Sequence, residues 1–224
     1  MPLNIAIDGP SGAGKSTLAK RLAEDLKILY LDTGAMYRGI AYFVLDKGVD
    51  PADAEKVLPL LPDIEMTVSY DESSGVQQIV INGVNVTPHI REHRISFAAS
   101  TVSKIPEVRL KLVELQRKIA SERDCVLDGR DIGSYVLPNA SKKIYLDAKP
   151  EVRAERRFKE LSEKGALNGM SYEDVLSDVN KRDYQDMHRD FAPLVVADGA
   201  VVVDTSELNA EEVLKKIEEI VACK

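Results

Sequence analysis

The chain has 224 residues, with 30 basic against 37 acidic side chains and a net charge of −7. That length suits one sizeable core with small excursions, and that charge offers no long-range attraction to nucleic acid or an anionic membrane, so a polyanionic ligand must be met by a few placed cations. Two cysteines, Cys125 and Cys223, are too few for a disulfide framework or a zinc site; with no signal-peptide pattern and no apolar run near the roughly 18 residues of a membrane span, a cytoplasmic monomer with free thiols is expected.

Ile5-Ala6-Ile7-Asp8 is the first of five short apolar runs that end in aspartate. The others are Leu29-Tyr30-Leu31-Asp32, Cys125-Val126-Leu127-Asp128, Ile144-Tyr145-Leu146-Asp147 and Val201-Val202-Val203-Asp204. Unbroken apolar runs of this length fit strands buried on both faces, as in a parallel sheet. After the first run, Leu18, Leu22 and Leu26 recur at helical spacing. After the second, residues 64–70 alternate, a polar stretch follows at residues 71–75, and residues 76–81 lead into Asn82-Gly83 and Val84-Asn85-Val86. That pattern predicts a small antiparallel sheet with a tight hairpin, inserted between helical segments. Val108, Leu112, Leu115 and Ile119 form a stripe on a helix starting near Pro106. Residues 164–171, with Gly165 and Gly169, read as a mobile loop between helices, and Val213, Ile217, Ile220 and Val221 mark a C-terminal helix. Strands alternating with helices through right-handed crossovers give a three-layer α/β fold around a five-stranded parallel sheet. The five aspartates then line its carboxyl edge, where open α/β folds bind ligands. Capping or loop structure is the first reading for Asp147 and Asp204, and function for Asp128.

Directly after the first run, Gly9-Pro10-Ser11-Gly12-Ala13-Gly14-Lys15-Ser16-Thr17 matches G-x-x-x-x-G-K-[ST], with a strand before it and a helix after it as the motif requires. The glycines let the backbone curl until successive N–H groups form an anion nest at a helix N-terminus. Lys15 reaches the β/γ-phosphates and Ser16 offers its hydroxyl to Mg²⁺. The loop therefore points to a nucleoside triphosphate, Mg-ATP first, without separating ATPase, GTPase and kinase. A GTPase needs an Asp-x-x-Gly switch, which the sequence lacks. Asn180-Lys181-Arg182-Asp183 matches the guanine-reading string but lies in a charged helical stretch, residues 171–189, not at the end of an apolar strand.

A kinase acting on a second anionic substrate needs cations aimed at two phosphates and segments that shut out water. Arg38 follows the second strand, Arg109 lies on the Pro106 helix, and Arg130 sits in Asp128-Gly129-Arg130-Asp131 just past the third. Arg153, Arg156 and Arg157 precede the glycine-containing loop at i, i+3, i+4, so one helix face is expected to present at least two cations together; Arg182 and Arg189 follow the loop. Any single arginine is more often a solvated or ion-paired surface residue. Arg130 is the exception, at the carboxyl end of a buried strand facing the phosphate loop. Arg182 and Asp186 read as an exposed i, i+4 pair worth a few tenths of a kcal/mol.

The strings GPSGAGKST, LDTGAMYRG, LDGRDIG and KRDYQDMHR, in this order and spacing, closely resemble bacterial cytidylate kinases over essentially the whole chain. The first is shared by many P-loop enzymes, whereas the second and third together are specific to the family. The resemblance implies a P-loop kinase fold with a three-stranded NMP-binding insert and a short lid. It implies a core in residues 1–39, 100–155 and 185–224, an NMP-binding region in 40–99, and the lid with flanking helices in 156–184. It implies transfer of the γ-phosphoryl of Mg-ATP to CMP or dCMP. Residue by residue, it assigns residues 9–17 to the ATP phosphates, Thr33 and Arg38 to the neighbourhood of the acceptor nucleotide, and Arg130 to its phosphate. Ser100, Arg109 and Asp131 match positions around the cytosine, Arg182 and Asp186 those reaching the ribose hydroxyls, Arg189 a cation near the transferring group, and Arg156 a lid arginine approaching ATP. Cytosine presents an amine donor beside ring acceptors, so its site needs both an acceptor and a donor such as Arg.

Lys15 and the arginines at 130, 156, 182 and 189 are thus the candidate catalytic groups, and Ser16, Thr17 and Asp128 the candidate metal-side groups. Ser16 stands where many relatives carry glycine, which leaves both Ser16 and Thr17 available to Mg²⁺. His188 is expected to be a solvated helix residue, and no general base is required, because the CMP phosphate is itself an anionic nucleophile. The alternatives are a neighbouring P-loop kinase acting on UMP, AMP or a small acceptor such as shikimate, and a nucleotide-gated binding protein that hydrolyses ATP slowly.

Overall fold

Each of the five aspartate-terminated runs forms a strand. The computed structural model, which describes residues 2–71, 74–167 and 169–222 and the backbone alone at His93, joins them in one sheet. These strands are β1 (Asn4–Asp8), β2 (Leu29–Asp32), β6 (Cys125–Gly129), β7 (Lys142–Asp147) and β8 (Val201–Asp204), in the order β2-β6-β1-β7-β8. β1 pairs in parallel with β6 and β7, and β7 pairs in parallel with β8. The chain divides into two compact units, Met1–Tyr30 with Arg123–Lys224, and Leu31–Glu122.

In the first unit, Ile5, Ala6 and Ile7 are wholly buried at the middle of the sheet. Leu18 and Leu22 of α1 (Lys15–Leu26) and Val213 and Ile217 of α8 (Ala210–Ala222) complete that core with Val126, Ile144 and Leu146. Leu26 falls outside it and is exposed, so the four-residue leucine spacing of α1 overreaches by one turn. Two further helices, α6 (Pro150–Glu163) and α7 (Tyr172–His188), pack on each other through Ala154, Leu161, Val175 and Val179. Ser171 and Asp174 start α7 with a reciprocal capping box, which satisfies two backbone N–H groups that a helix end otherwise leaves open. The loop expected at residues 164–171 joins α6 to α7, with Asn168 outside the described residues. Cys125 is a free, buried thiol, and its burial pushes the pKa up to about 12, which leaves it unreactive; Cys223 lies outside the described residues.

In the second unit, α2 (Thr33–Asp46), α3 (Ala54–Val57) and a 3₁₀ turn (Leu58–Asp63) lead into the antiparallel strands β3 (Met66–Tyr70), β4 (Gln77–Ile81) and β5 (Val84–Asn85). Asn82 and Gly83 turn the β4–β5 hairpin at φ 51° and 79°, as the Asn-Gly pair predicts. The polar stretch at residues 71–75 includes two residues outside those described. Gly39 lets α2 lie against this sheet, since a Cβ there would come within 2.8 Å of Ile79 and 3.0 Å of Met66. Helices α4 (His93–Val102) and α5 (Pro106–Glu122) follow. The buried face of α5 is Val108, Arg109, Leu112, Val113, Gln116 and Ala120, rotated from the expected stripe, with Leu115 and Ile119 only half-buried. Apolar periodicity misses this rotation because two of the inward side chains are polar. Among the described residues, no helix is long and apolar enough to cross a membrane.

Candidate active site

The phosphate loop is made by its backbone. Gly9, Gly12 and Gly14 sit at φ 143°, 80° and 90°, conformations that side chains disfavour. A Cβ on Gly9 would overlap the carbonyl oxygen of Leu146, and one on Gly12 would lie 3.1 Å from Cβ of Arg153. Lys15 opens α1, only 5% exposed, and its Nζ donates to the Pro10 carbonyl at 2.6 Å. Burial, reinforced by Arg130, pushes its ammonium well below the ordinary lysine range, while Asp128, Asp186 and Asp8 pull it back. An anion placed beside it would favour its charged form. Ser16 donates its hydroxyl to Asp128 Oδ2 at 2.7 Å, and the Tyr30 hydroxyl donates to Oδ1 at 2.9 Å. Thr17 is exposed beside them. Among the described residues, no group of three or more His, Cys, Asp or Glu is placed to hold a metal ion. One hydroxyl and one carboxylate instead suit a hard cation that takes its remaining oxygens from phosphate and water, as Mg²⁺ does.

The loop after β6 brings a second set of charges to the same unit. Arg130 Nε donates to Asp186 Oδ2 at 2.9 Å, tying this loop to α7. Burial opposes the charge on Arg130, but Asp186, Asp128 and Asp183 more than compensate and raise its pKa. Burial likewise opposes ionisation of Asp186, which Arg130, Arg182 and Arg189 overcome, so its carboxyl stays below the usual range. Arg189 lies 3.5 Å from Asp131 and 3.8 Å from Asp186 and donates from Nε to the Ala192 carbonyl at 2.7 Å. Asp186 is therefore a buried hub, at 4% exposure, and not one half of an exposed helical pair. The reason is three-dimensional: α7 turns this face towards the Arg130 loop, where an unpaired buried carboxylate would be costly. His188 is exposed on the other face, stacked on Tyr184.

The three arginines of α6 part company. Arg153 is buried and bound to Asp183, Arg156 donates to the hydroxyl and carbonyl of Thr205 at 3.2 and 2.7 Å, and Arg157 pairs with Glu160 at 2.9 Å. The expected shared cationic face is thus corrected: Arg153 turns into the protein, where its charge needs a carboxylate. Asp8 is a candidate to which sequence reasoning gave no role of its own. Its two oxygens accept from the backbone N–H of Ile132 and Gly133 at 2.8 and 2.7 Å, joining the strand before the phosphate loop to the turn after Asp131. Burial, partly offset by those two hydrogen bonds, raises its pKa to about 6. An ionisable residue inside an apolar strand, next to a phosphate-loop glycine, was the available signal.

The second unit holds the other candidates. Thr33 is buried at the start of α2, whose N-cap Asp32 accepts from the Ala35 N–H at 2.8 Å. Arg38, one turn on, donates to Asp32 at 2.9 Å. Arg109 is the largest wholly buried side chain, its guanidinium 5.5 Å from the centroid of the Tyr37 ring and 3.4 Å from the Ser103 carbonyl. Ser100 is half-buried on α4, and its carbonyl accepts from the Ser103 hydroxyl at 2.9 Å. A guanidinium buried among apolar helices, over an aromatic face, is oriented before any ligand arrives.

Comparison with known proteins agrees with this chemistry. The sequence model of the family described as cytidylate kinase matches residues 5–222. A cytidylate kinase of Caldicellulosiruptor bescii is 46% identical over 218 residues, covering 97% of this chain and 95% of the relative. One of Flavobacterium johnsoniae is 46% identical over 222 residues, covering 98% and 96%. Among solved structures, the shikimate kinase of Bacteroides thetaiotaomicron superposes with a TM-score of 0.50 at 13% identity, covering 99% of both chains, a likeness of fold alone. With a phosphate loop, an arginine-rich second charge cluster, a separate antiparallel insert and near-full-length relatives of one kind, the chain belongs to the cytidylate kinase family.

Proposed function

We propose that the protein transfers the γ-phosphoryl group of Mg-ATP to the 5′-phosphate of CMP or dCMP, giving ADP with CDP or dCDP. The observation that carries this reading is electrostatic. Lys15 is buried within the influence of Arg130, and Arg130 is anchored by Asp186. Asp128, Asp186 and Asp8 offset the burial of Lys15 and the nearby Arg130 charge only in part, which suits a reaction that passes a phosphoryl group from one anion to another. The loop at residues 9–17 holds the donor phosphates through its N–H groups, and Lys15 meets charge at the β/γ end. Ser16, Asp128 and Thr17 supply the metal side, where Mg²⁺ would neutralise phosphate charge and orient the γ-group. Arg130 and Arg189 stabilise the acceptor phosphate and the transferring group, and Arg182 and Asp186 engage the ribose hydroxyls. Arg156 approaches ATP from α6. Thr33 and Arg38 serve the acceptor nucleotide, with Ser100, Arg109 and Asp131 reading the cytosine. Residues 40–99 form the NMP-binding region and residues 156–184 the lid.

The test is ADP release from ATP with CMP, dCMP, UMP, AMP and GMP supplied one at a time. Strong turnover with CMP and dCMP is expected. Preference for another acceptor overturns the cytosine assignment, and acceptor-independent hydrolysis overturns the kinase reading itself. Arg109→Ala should weaken CMP use far more than ATP binding, measured as separate KM values. Equal loss for both would make Arg109 structural.

A further inference from the structure

Arg153 makes more contacts than an ion pair requires. Nη1 and Nη2 engage both oxygens of Asp183 at 3.0 and 2.5 Å, a bidentate fork. Nε donates to the Ala148 carbonyl at 2.8 Å, and Nη1 donates also to the carbonyl of Ser11, within the phosphate loop, at 3.1 Å. The side chain is 3% exposed, and Gly12 packs against its Cβ. One guanidinium therefore holds three pieces of chain: the end of β7 that leads into α6, the phosphate loop, and α7. The helix it grips carries two charged groups of the site, since Asp183 is flanked by Arg182 and lies one turn before Asp186, the partner of Arg130.

A buried ion pair is weak evidence for stability, because well-packed apolar side chains of similar volume often serve as well. An apolar pair cannot, however, donate to the Ser11 carbonyl or fix a direction, as a planar fork does. We infer that Arg153 and Asp183 are a positioning pair that sets α7, and with it Asp186 and Arg189, at a fixed register to the phosphate loop. Neither touches the reacting atoms. They act through the residues they hold, so that a change in this pair displaces the acceptor-side cations relative to Lys15. The inference rests on the phosphoryl-transfer reading above and extends it to residues to which that reading gives no part.

The test is the double variant Arg153→Met/Asp183→Leu, which removes both charges together and leaves no buried ion alone. It should fold, by circular dichroism and thermal melting, yet lose about 10²-fold in kcat, the scale of a misplacement near 1 Å, while the KM for ATP moves by less than about threefold. Amide hydrogen exchange, read without substrate, should rise at residues 11–14 and 180–189. A folded double variant with near-wild-type kcat and unchanged exchange overturns the proposal and leaves the pair a structural tie. Should the double variant fail to fold, Arg153→Lys decides: it keeps the charge and loses the fork, and kcat should fall about tenfold in a folded protein. Wild-type kcat in that variant overturns the proposal equally. Wild-type protein in the same assay reads the function separately: if it shows no CMP-dependent turnover the functional reading falls, and the exchange measurement still judges the pair.

Discussion

The phosphate loop and the charge cluster around Asp186 belong to the same unit and are built by opposite means. The loop is local, with three glycines at positive φ within six residues and Lys15 turned back to Pro10, five positions earlier. The cluster is assembled at long range: Arg130 meets Asp186 across 56 residues of sequence, and Arg153 meets Ser11 across 142. A local device is stabilised chiefly by backbone conformation, and its failures are steric or catalytic. A long-range cluster of buried charges depends on every partner, and its failures leave an ion without compensation.

Lys15→Ala should sharpen this contrast most. Removing a cation already desolvated in the fold should leave stability nearly unchanged and lower kcat by about 10³-fold, measured by steady-state ADP release. Next comes Asp186→Ala, which leaves Arg130 buried without its main carboxylate. Unfolding in urea should show a loss of about 3–5 kcal/mol, with activity lost in parallel. A stability loss under about 1 kcal/mol would mean that Asp128, Asp183 or solvent compensates Arg130, and would break the distinction between loop and cluster. Gly9→Ala comes third, with a strained φ and a Cβ directed at the Leu146 carbonyl; a cost of about 2 kcal/mol and weakened ATP binding by calorimetry are expected.

The smallest effect concerns Asp8, which lies between the two regions in character. Its folded pKa of about 6 exceeds the ordinary value of 3.8. The folded state therefore binds this proton more tightly than the unfolded state. The associated stability is fully present below the unfolded value and is lost as pH rises through 6. Asp8→Asn has no such titration, so the gap in stability between wild type and variant should be wider at about pH 4.5 than at about pH 8, measured by thermal unfolding. A gap that widens instead with rising pH would show that the ionised carboxylate is favoured by its two N–H donors more than burial disfavours it.

Much of the fold was legible because its signals are local. Five apolar runs give five strands, and Asn82-Gly83 gives the hairpin. Asp32 caps α2, Asp147 accepts from the next backbone N–H, and Asp204 accepts from Ser206, so the mundane reading of the latter two holds. What escaped was the fate of individual charges. Arg153, Arg156 and Arg157 have the spacing of a shared face, yet each takes a different partner, because spacing on a helix says which side chains are neighbours and not what packs against them. The rotation of α5 escaped for a related reason: Arg109 and Gln116 point inward, and a reading based on apolar periodicity places such residues outside.

By itself, the sequence determined the phosphate loop, the α/β order of elements, the antiparallel insert and the family. Each is written in short-range patterns whose physics is backbone conformation and hydrophobic periodicity, or in strings whose order survives without coordinates. Only the tertiary structure decided that Asp186 is a buried hub, that Asp8 holds the turn after Asp131, and that Arg153 joins the phosphate loop to α7. The physical reason is that the state and partner of a buried charge depend on the low-dielectric surroundings supplied by distant segments, and no local pattern encodes which segments those are.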